Sequence, residues 1–183
     1  MTVTRRAVFL DRDGVLSASL FKEGRPTAPT RFVDFVLLPG VPEALRTLKD
    51  AGYALVVVTN QPDVATGQLP LAELEKMHAL LRAALPLDAI KICIHTDRDS
   101  CACRKPKPGM LLEGARELSL DLNRSYMVGD RWRDIEAGKA AGCRTILIGD
   151  GYGEKEIHPD LNATSLPDAA RHILKGGSEQ VIS

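Results

Sequence analysis

RAVFLDRDGVL, residues 6–16, joins an apolar run long enough for one strand to a turn that holds two aspartates and a glycine. Comparable short apolar runs follow at residues 54–58, 90–94, 125–128 and 144–148, with the first at 6–10. The segments between them have a different period. Residues 41–51, 71–85, 109–118 and 134–141 carry apolar side chains at intervals of three and four, which lines them up on one face of a helix. Gly52 and Gly142 stand where C-terminal caps belong. Strands alternating with helices build a parallel sheet with helical crossovers, so the chain is expected to be an α/β protein with a doubly wound, mainly parallel sheet. Residues 17–38 form a long connection, a candidate substrate loop.

A chain of 183 residues with 44% apolar content has material for one ordinary core. A single domain over residues 1–175 is expected, followed by a flexible tail at 176–183 that reads GGSEQVIS. The 24 basic and 24 acidic residues cancel, leaving no overall field to attract nucleic acid or a membrane, so an anion site must be built locally. The opening MTVTRRAVFL lacks a signal-peptide pattern, and no apolar stretch approaches membrane-span length. A soluble, cytoplasmic protein is expected, and its size permits a monomer.

In a doubly wound sheet, ligands bind beyond the carboxyl ends of the strands. The residues there are Asp11, Arg12, Asp13 and Gly14 after the first run, and Thr59, Asn60 and Gln61 after the second. Arg104, Lys105 and Lys107 follow the third, and Gly129, Asp130 and Asp134 the fourth. Carboxylates gathered at one edge repel unless a cation lies among them, and hard oxygen ligands such as Asp11 and Asp130 suit Mg²⁺. The chemistry that uses this set is phosphoryl transfer. One aspartate attacks phosphorus, a second carboxyl, Asp13, serves as acid and base, Thr59 holds phosphate oxygens and Lys105 offsets developing charge. Gly14 is expected to serve backbone geometry.

CIHTDRDSCACRKPKPG, residues 93–109, places three of the four cysteines and a histidine within eleven positions. In a reducing compartment such a cluster is more often a metal site than a disulfide pair. Cys93, His95, Cys101 and Cys103 make the Cys₃His set of a closed, structural Zn²⁺ site, which would staple this loop and fix Arg104 and Lys105. Cys143 is expected in the core. His78, His158 and His172 are expected to pack or face solvent, and Lys107 to be exposed. Asp63 and Trp132 read either as loop punctuation and packing or as residues of the site mouth.

DRDGVL, VVTNQ, CRKPKPGM and MVGDRWRDIEAG resemble, in that order, the four signature segments of the haloacid dehalogenase superfamily of phosphatases. The resemblance implies a Rossmann-like core without a separate cap domain, with Asp11 as nucleophile, Asp13 as acid/base, Thr59 as phosphate ligand and Lys105 as charge-balancing lysine. It further implies Mg²⁺ held by Asp11, the backbone carbonyl of Asp13 and Asp130, with Asp134 in support. The CxH, CxC and RKP arrangement is similar to the zinc loop of the heptose-bisphosphate and histidinol-phosphate branch. That implies a small phosphorylated sugar as substrate, a heptose 1,7-bisphosphate losing its 7-phosphate, with histidinol phosphate or another small metabolite as the alternative. Substrate contacts are expected from Thr59, Asn60, Gln61, Arg104 and Lys105, Arg104 being suited to a second phosphate or a sugar hydroxyl. Ser17 and the Pro62-Asp63 pair stand where the family carries asparagine and serine-glycine.

Two other classes use similar residues. A phosphoaspartate receiver also gathers acids, a threonine and a lysine at strand ends, but Asp13 argues against it, because a carboxyl placed to activate water shortens the life of an acyl phosphate. A bare zinc-binding interaction module has no use for four aligned polar segments.

Overall fold

In the computed structural model, which describes residues 5–179, strands and helices alternate. The order is β1 (Ala7–Leu10), β2 (Leu20–Lys22), β3 (Arg25–Thr27), α1 (Val41–Asp50), β4 (Ala54–Asn60), α2 (Pro62–Ala65), α3 (Leu71–Ala84), β5 (Ala89–Cys93) and α4 (Gly109–Leu118). It continues with β6 (Tyr126–Gly129), α5 (Trp132–Ala141), β7 (Arg144–Ile148), β8 (Leu161–Ala163) and α6 (Leu166–Glu179). Six strands form one sheet in the order β5-β4-β1-β6-β7-β8, parallel at every pairing. β1 lies inside the sheet with β4 on one side and β6 on the other. The chain therefore reverses its direction of travel across the sheet at β1, and the residues after β1, β4 and β6 meet over that point.

Alternation along each strand separates two cores. Val8 and Leu10 of β1, Leu55 and Val57 of β4, and Val128 of β6 join one cluster with Leu45 and Leu48 of α1, Met77 and Leu81 of α3, and Ile173 of α6. Ala7, Phe9, Val56, Val58 and Met127 face the opposite cluster with Met110 and Leu111 of α4 and Ala137 of α5. Both faces are covered, which is why these strands read as unbroken apolar runs. Each fully buried Val, Leu or Phe contributes roughly 1.5–3 kcal/mol by leaving water. Helix positions follow the same logic: in α1 the buried residues are Val41, Ala44, Leu45 and Leu48, one face at helical spacing.

Three elements extend the sequence-based expectation. Residues 17–38 contain the antiparallel β2–β3 hairpin, and no other strand separates β1 from α1. β8 and α6 complete the sheet's far edge and cover it. The expected tail boundary at 175 is passed, since α6 continues to Glu179. Its Gly176 lies so close to Tyr126 that an added Cβ would stand 3.1 Å from the phenol oxygen. Residues 180–183 lie outside the described residues. Among the described residues no helix is long and apolar enough to cross a membrane.

α5 approaches β6 and β7 through Gly138, where a Cβ would fall 2.6 Å from Met127 Cβ and 2.8 Å from Thr145 Cγ2. Neither neighbour is the end of a flexible chain. Gly138→Ala should therefore lower stability by about 1–3 kcal/mol through overpacking, despite alanine's better helix propensity. Urea unfolding of the two proteins at neutral pH checks this, and a variant as stable as the parent would show that the two elements part freely.

Candidate active site

Asp11 follows the last residue of β1, Asp130 the last residue of β6, and Asp134 lies in the first turn of α5. Parallel pairing of β1 with β6 brings their ends together, and oxygens of the three carboxylates lie within 4.8 Å of one another. Lys105 enters from the loop before α4. Its side chain is 2% exposed, and the ammonium lies 2.9 Å from Asp11 Oδ1 and 2.6 Å from Asp134 Oδ1 and donates to the Val58 carbonyl at 2.8 Å. Asp134 Oδ2 also accepts the Arg131 backbone N–H at 3.0 Å. Two glycines make room: a Cβ on Gly14, whose φ is +85°, would stand 1.9 Å from Asp130 Oδ2, and one on Gly129 would stand 2.1 Å from Asp134 Cβ.

Three carboxylates face one ammonium in this buried cluster, an acidic excess. Burial, and then the charge of Asp134, push the Asp11 carboxyl up to about 7 although Lys105 opposes them. Burial, with Asp11 and Asp134 adding to it, also lifts Asp130 well above the carboxylate range. Burial disfavours the Lys105 ammonium, but Asp11 and Asp134 outweigh it and hold the lysine above its ordinary value. Asp130 Oδ1 is buried without a hydrogen-bond partner. An orphaned oxygen, a hard donor set and an excess of acidic groups all fit one divalent cation of the Mg²⁺ type.

Asp13 belongs to a separate circuit. The Arg12 side chain, fully buried, donates through Nε to Asp13 Oδ1 at 3.0 Å and through Nη2 to Asp13 Oδ2 at 2.9 Å. Gln61 Nε2 donates to Asp13 Oδ2 at 2.9 Å and to Thr59 Oγ1 at 2.8 Å, and Ser17 Oγ donates to Asp13 Oδ1 at 3.1 Å. Behind them, Arg12 Nη1 lies 3.3 Å from Nε2 of His78 on α3. Burial, then the neighbouring Arg12 and Arg82 charges, depress His78 to about 4, so the ring is neutral at pH 7 and accepts from Arg12.

The sulfur cluster is assembled as its spacing implied. Cys93 Sγ lies 2.8 Å from Cys103 Sγ and 3.6 Å from Cys101 Sγ, while His95 Nδ1 lies 3.2 Å from Cys103 Sγ and 3.6 Å from Cys93 Sγ. A tetrahedron of ~2.3 Å zinc–sulfur bonds has edges of about 3.8 Å, close to the longer of these distances. Burial favours the neutral Cys101 thiol, but the Arg104 backbone N–H and Cys103 outweigh it and lower the group to about 7. Soft thiolates with one imidazole make a cluster compatible with zinc. Lys107, exposed as expected, wraps the loop by donating to the Ser100 and Cys101 carbonyls.

A family profile described as HAD-hydrolase-like matches residues 102–172. A D-glycero-beta-D-manno-heptose-1,7-bisphosphate 7-phosphatase of Pseudomonas putida is 36% identical over 166 residues, covering 88% of this chain and 92% of the relative. The enzyme of the corresponding name from Thermosynechococcus vestitus is 34% identical, with coverage of 97% and 95%. Among solved structures, D,D-heptose 1,7-bisphosphate phosphatase from B. bronchiseptica, complexed with magnesium and phosphate, superposes with a TM-score of 0.79 at 33% identity, covering 93% of this chain and 99% of that one. The chain belongs to the HAD-like phosphatases.

The phosphatase cleft, about 410 Å³, opens above the carboxylates, and its wall includes Asp11, Asp13, Asn60, Lys105, Asp130 and Asp134. Pro62, Asp63 and Trp132 also line it, as do Ser19 and Pro26–Ala28 around the hairpin. Three arginines reach this wall, each with a carboxylate partner. Asp97 accepts from Arg104 Nε at 2.8 Å and Arg133 Nη1 at 3.0 Å, and Glu154 pairs with Arg131.

Two of the expected substrate contacts are placed differently. Gln61, 1% exposed, lies behind the wall with its amide nitrogen spent on Asp13 and Thr59. Asn60 lines the cleft but exchanges two hydrogen bonds with the Lys105 backbone, both at 3.1 Å, and so fixes the loop that carries the lysine. Thr59 is buried at the end of β4. Asp134 spends both oxygens on Lys105 and Arg131, as befits a supporting role. Cys143 is buried in the core, His158 is exposed, and His78 is a packed partner of Arg12.

Arg12, Ser17, Asp97 and Tyr152 carry no role in the sequence reading yet bear on the site. Tyr152 was within reach: extending the strand-end rule to a fifth run, β7, leads to Gly149-Asp150-Gly151-Tyr152.

The neutral His78 predicts a pH dependence. Its folded pKa lies below the ordinary 6.5, so its contribution is present above pH 6.5 and is lost as pH falls through about 4, by up to about 3 kcal/mol. His78→Gln keeps an acceptor for Arg12 without titrating there and should lack this part of the acid destabilisation. Unfolding free energies measured between pH 7 and pH 4 for both proteins check it, with parallel curves counting against the assignment.

Proposed function

We propose that the chain removes the 7-phosphate from D-glycero-D-manno-heptose 1,7-bisphosphate. The observation that carries the chemistry is Lys105 Nζ at 2.9 Å from Asp11, beside Asp130 with a partnerless oxygen, at the floor of an open cleft. Relatives of that name aligned over most of their length support the substrate.

Asp11 is the nucleophile. Its carboxylate oxygen forms a bond to phosphorus as the bond from phosphorus to the sugar oxygen breaks, and Asp13 gives its proton to the departing alkoxide. Asp13 then takes a proton from water, whose oxygen attacks phosphorus, releasing inorganic phosphate and restoring the Asp11 carboxylate. Lys105 balances the charge shared by Asp11 and the phosphoryl group, and Thr59 supplies a hydroxyl to a phosphate oxygen. Arg12, Gln61 and Ser17 hold Asp13 above the cleft floor, so it need not be ordered anew in each cycle. Asp11, the Asp13 carbonyl and Asp130 would hold Mg²⁺, with Asp134 in support, and Mg²⁺ when bound supplies the positive charge that this carboxylate cluster and a phosphate require. Arg104, held against Asp97, offers its fork to the second phosphate.

A side-by-side assay of heptose 1,7-bisphosphate, histidinol phosphate, fructose 1,6-bisphosphate and nucleotides tests the substrate. The heptose should give the highest kcat/KM by at least about tenfold, and preference for any other compound overturns the assignment. Asp11→Asn should lower kcat by about 10³-fold or more while leaving the unfolding midpoint near that of the parent. Normal turnover by that variant would remove Asp11 from the nucleophile's role.

Cys93, His95, Cys101 and Cys103 hold a structural Zn²⁺. Elemental analysis of protein purified without chelator should find one zinc per chain, and Cys101→Ser should lose most of it. Disorder should then rise around Arg104 and Lys105, with kcat/KM falling roughly 10–100-fold. Zinc-free protein of full activity and unchanged amide protection in this loop would argue that the cluster is incidental.

A further inference from the structure

Asp130 is not held symmetrically. Tyr152 Oη donates to Asp130 Oδ2 at 2.7 Å, and that same oxygen is pressed against Gly14, where no Cβ could stand. Oδ1 is the oxygen with no hydrogen-bond partner. The carboxylate is thus pinned by one oxygen and presents the other.

Tyr152 reaches this position at a local cost. Its φ of 61° and ψ of 18° put an aromatic residue in the left-handed region, between Gly151 and Gly153, whose φ values are also positive. Bulky side chains rarely adopt that conformation, and where they do the surroundings hold them there. Here the Asp150 carboxylate accepts the Tyr152 backbone N–H at 2.9 Å, and Ser19 lies beside the phenol. The ring stands 6.1 Å, centre to centre, from Phe21 of β2. Phe21 is otherwise largely exposed, and the tyrosine is its aromatic neighbour. One side chain therefore touches the carboxylate at the end of β6, the residue preceding the hairpin, and the hairpin itself.

We propose that Tyr152 is a positioning residue that fixes Asp130 for Mg²⁺ and couples occupation of that site to the order of the β2–β3 hairpin. The coupling follows from shared geometry. A cation on Oδ1 restrains Asp130, a restrained Asp130 holds the phenol, and the phenol and its ring hold Ser19 and Phe21. The hairpin's root and its second strand line the cleft, so the ion and the substrate wall are prepared together. The inference rests on Asp130 being a magnesium ligand.

Substrate-free protein suffices for the test. Mg²⁺ is titrated into the parent, Tyr152→Phe and Phe21→Ala by calorimetry and by the fluorescence of Trp132, the one tryptophan, which lines the cleft. Amide exchange over residues 18–28 is followed with and without the ion. Tyr152→Phe, which removes a single oxygen, should raise the Mg²⁺ dissociation constant about 10–100-fold, the range for loss of a partner behind a metal ligand. It should also abolish the Mg²⁺-dependent protection of the hairpin seen in the parent. Phe21→Ala keeps the hydroxyl, so it should bind Mg²⁺ within about twofold of the parent while losing the hairpin's protection. Unchanged Mg²⁺ affinity in Tyr152→Phe overturns the proposal, as does equal weakening in both variants. A parent that binds no Mg²⁺ overturns the assignment of Asp130 as well, which separates that failure from the failure of Tyr152 alone.

Discussion

The site depends on charge compensation at a buried sheet edge. Asp11, Asp130 and Asp134 are forced together because parallel pairing aligns the ends of β1 and β6 and because α5 starts directly beyond β6. An isolated buried carboxylate is costly enough that it takes up a proton instead. Lys105 offsets part of this charge, and burial with the neighbouring carboxylates still pushes Asp11 and Asp130 upward. A nucleophilic carboxylate must be ionised. The three carboxylates thus form a group that suits a divalent cation, whose charge would offset theirs.

Asp13 stands outside this cluster, beside the Arg12 guanidinium. The fully buried Arg12 forks onto it, and a neutral His78 closes the far end of the guanidinium. Two adjacent residues, Asp11 and Arg12, thereby serve opposite circuits: Asp11 faces the cluster that calls for a cation, and Arg12 turns into the apolar layer beneath α3. Three donors, Arg12 and Ser17 of the turn after β1 and Gln61 after β4, hold the Asp13 carboxylate in place. Breaking such a buried pair by removing one partner would strand the other charge, which gives this circuit a structural role.

What the sequence could reveal followed from how local each signal is. Runs such as AVFL and ALVVV announce buried strands because both faces are covered, and the polar residues just beyond them, Asp11, Thr59 and Asp130, announce the site because the sheet order places those ends side by side. The zinc-type cluster was legible for a similar reason, since its four side chains span only eleven positions. β8 was not legible: LNA is three residues long, has one fully buried side chain and gains its place only by pairing with β7. Nor was the use of Gln61, whose motif position suggests a ligand contact but whose amide turns inward to Asp13. Tyr152 stands 22 residues after its partner Asp130, and its contact is created by an unusual backbone angle that no periodicity encodes.

Chemistry and specificity rest on different supports in this molecule. The carboxylate cluster is fixed by the sheet, by the close-packed Gly14 and Gly129 and by a lysine whose ammonium is tied to the Val58 carbonyl of β4. The cleft wall is carried by loops with little apolar content: the hairpin held through Tyr152, and the cysteine loop held by its sulfur cluster and by Asp97 bridging Arg104 and Arg133. Such loops cannot be ordered by burial and need polar or metal-centred ties instead. Lys105 is the point where the two supports meet. It directly follows Arg104 and lies two residues beyond Cys103, yet its side chain ends in the sheet's carboxylate cluster. Loosening the cysteine loop would therefore reach the chemistry through that lysine, whereas changes at the hairpin would reach it through Asp130, so each wall of the cleft has one direct physical route to the reacting centre.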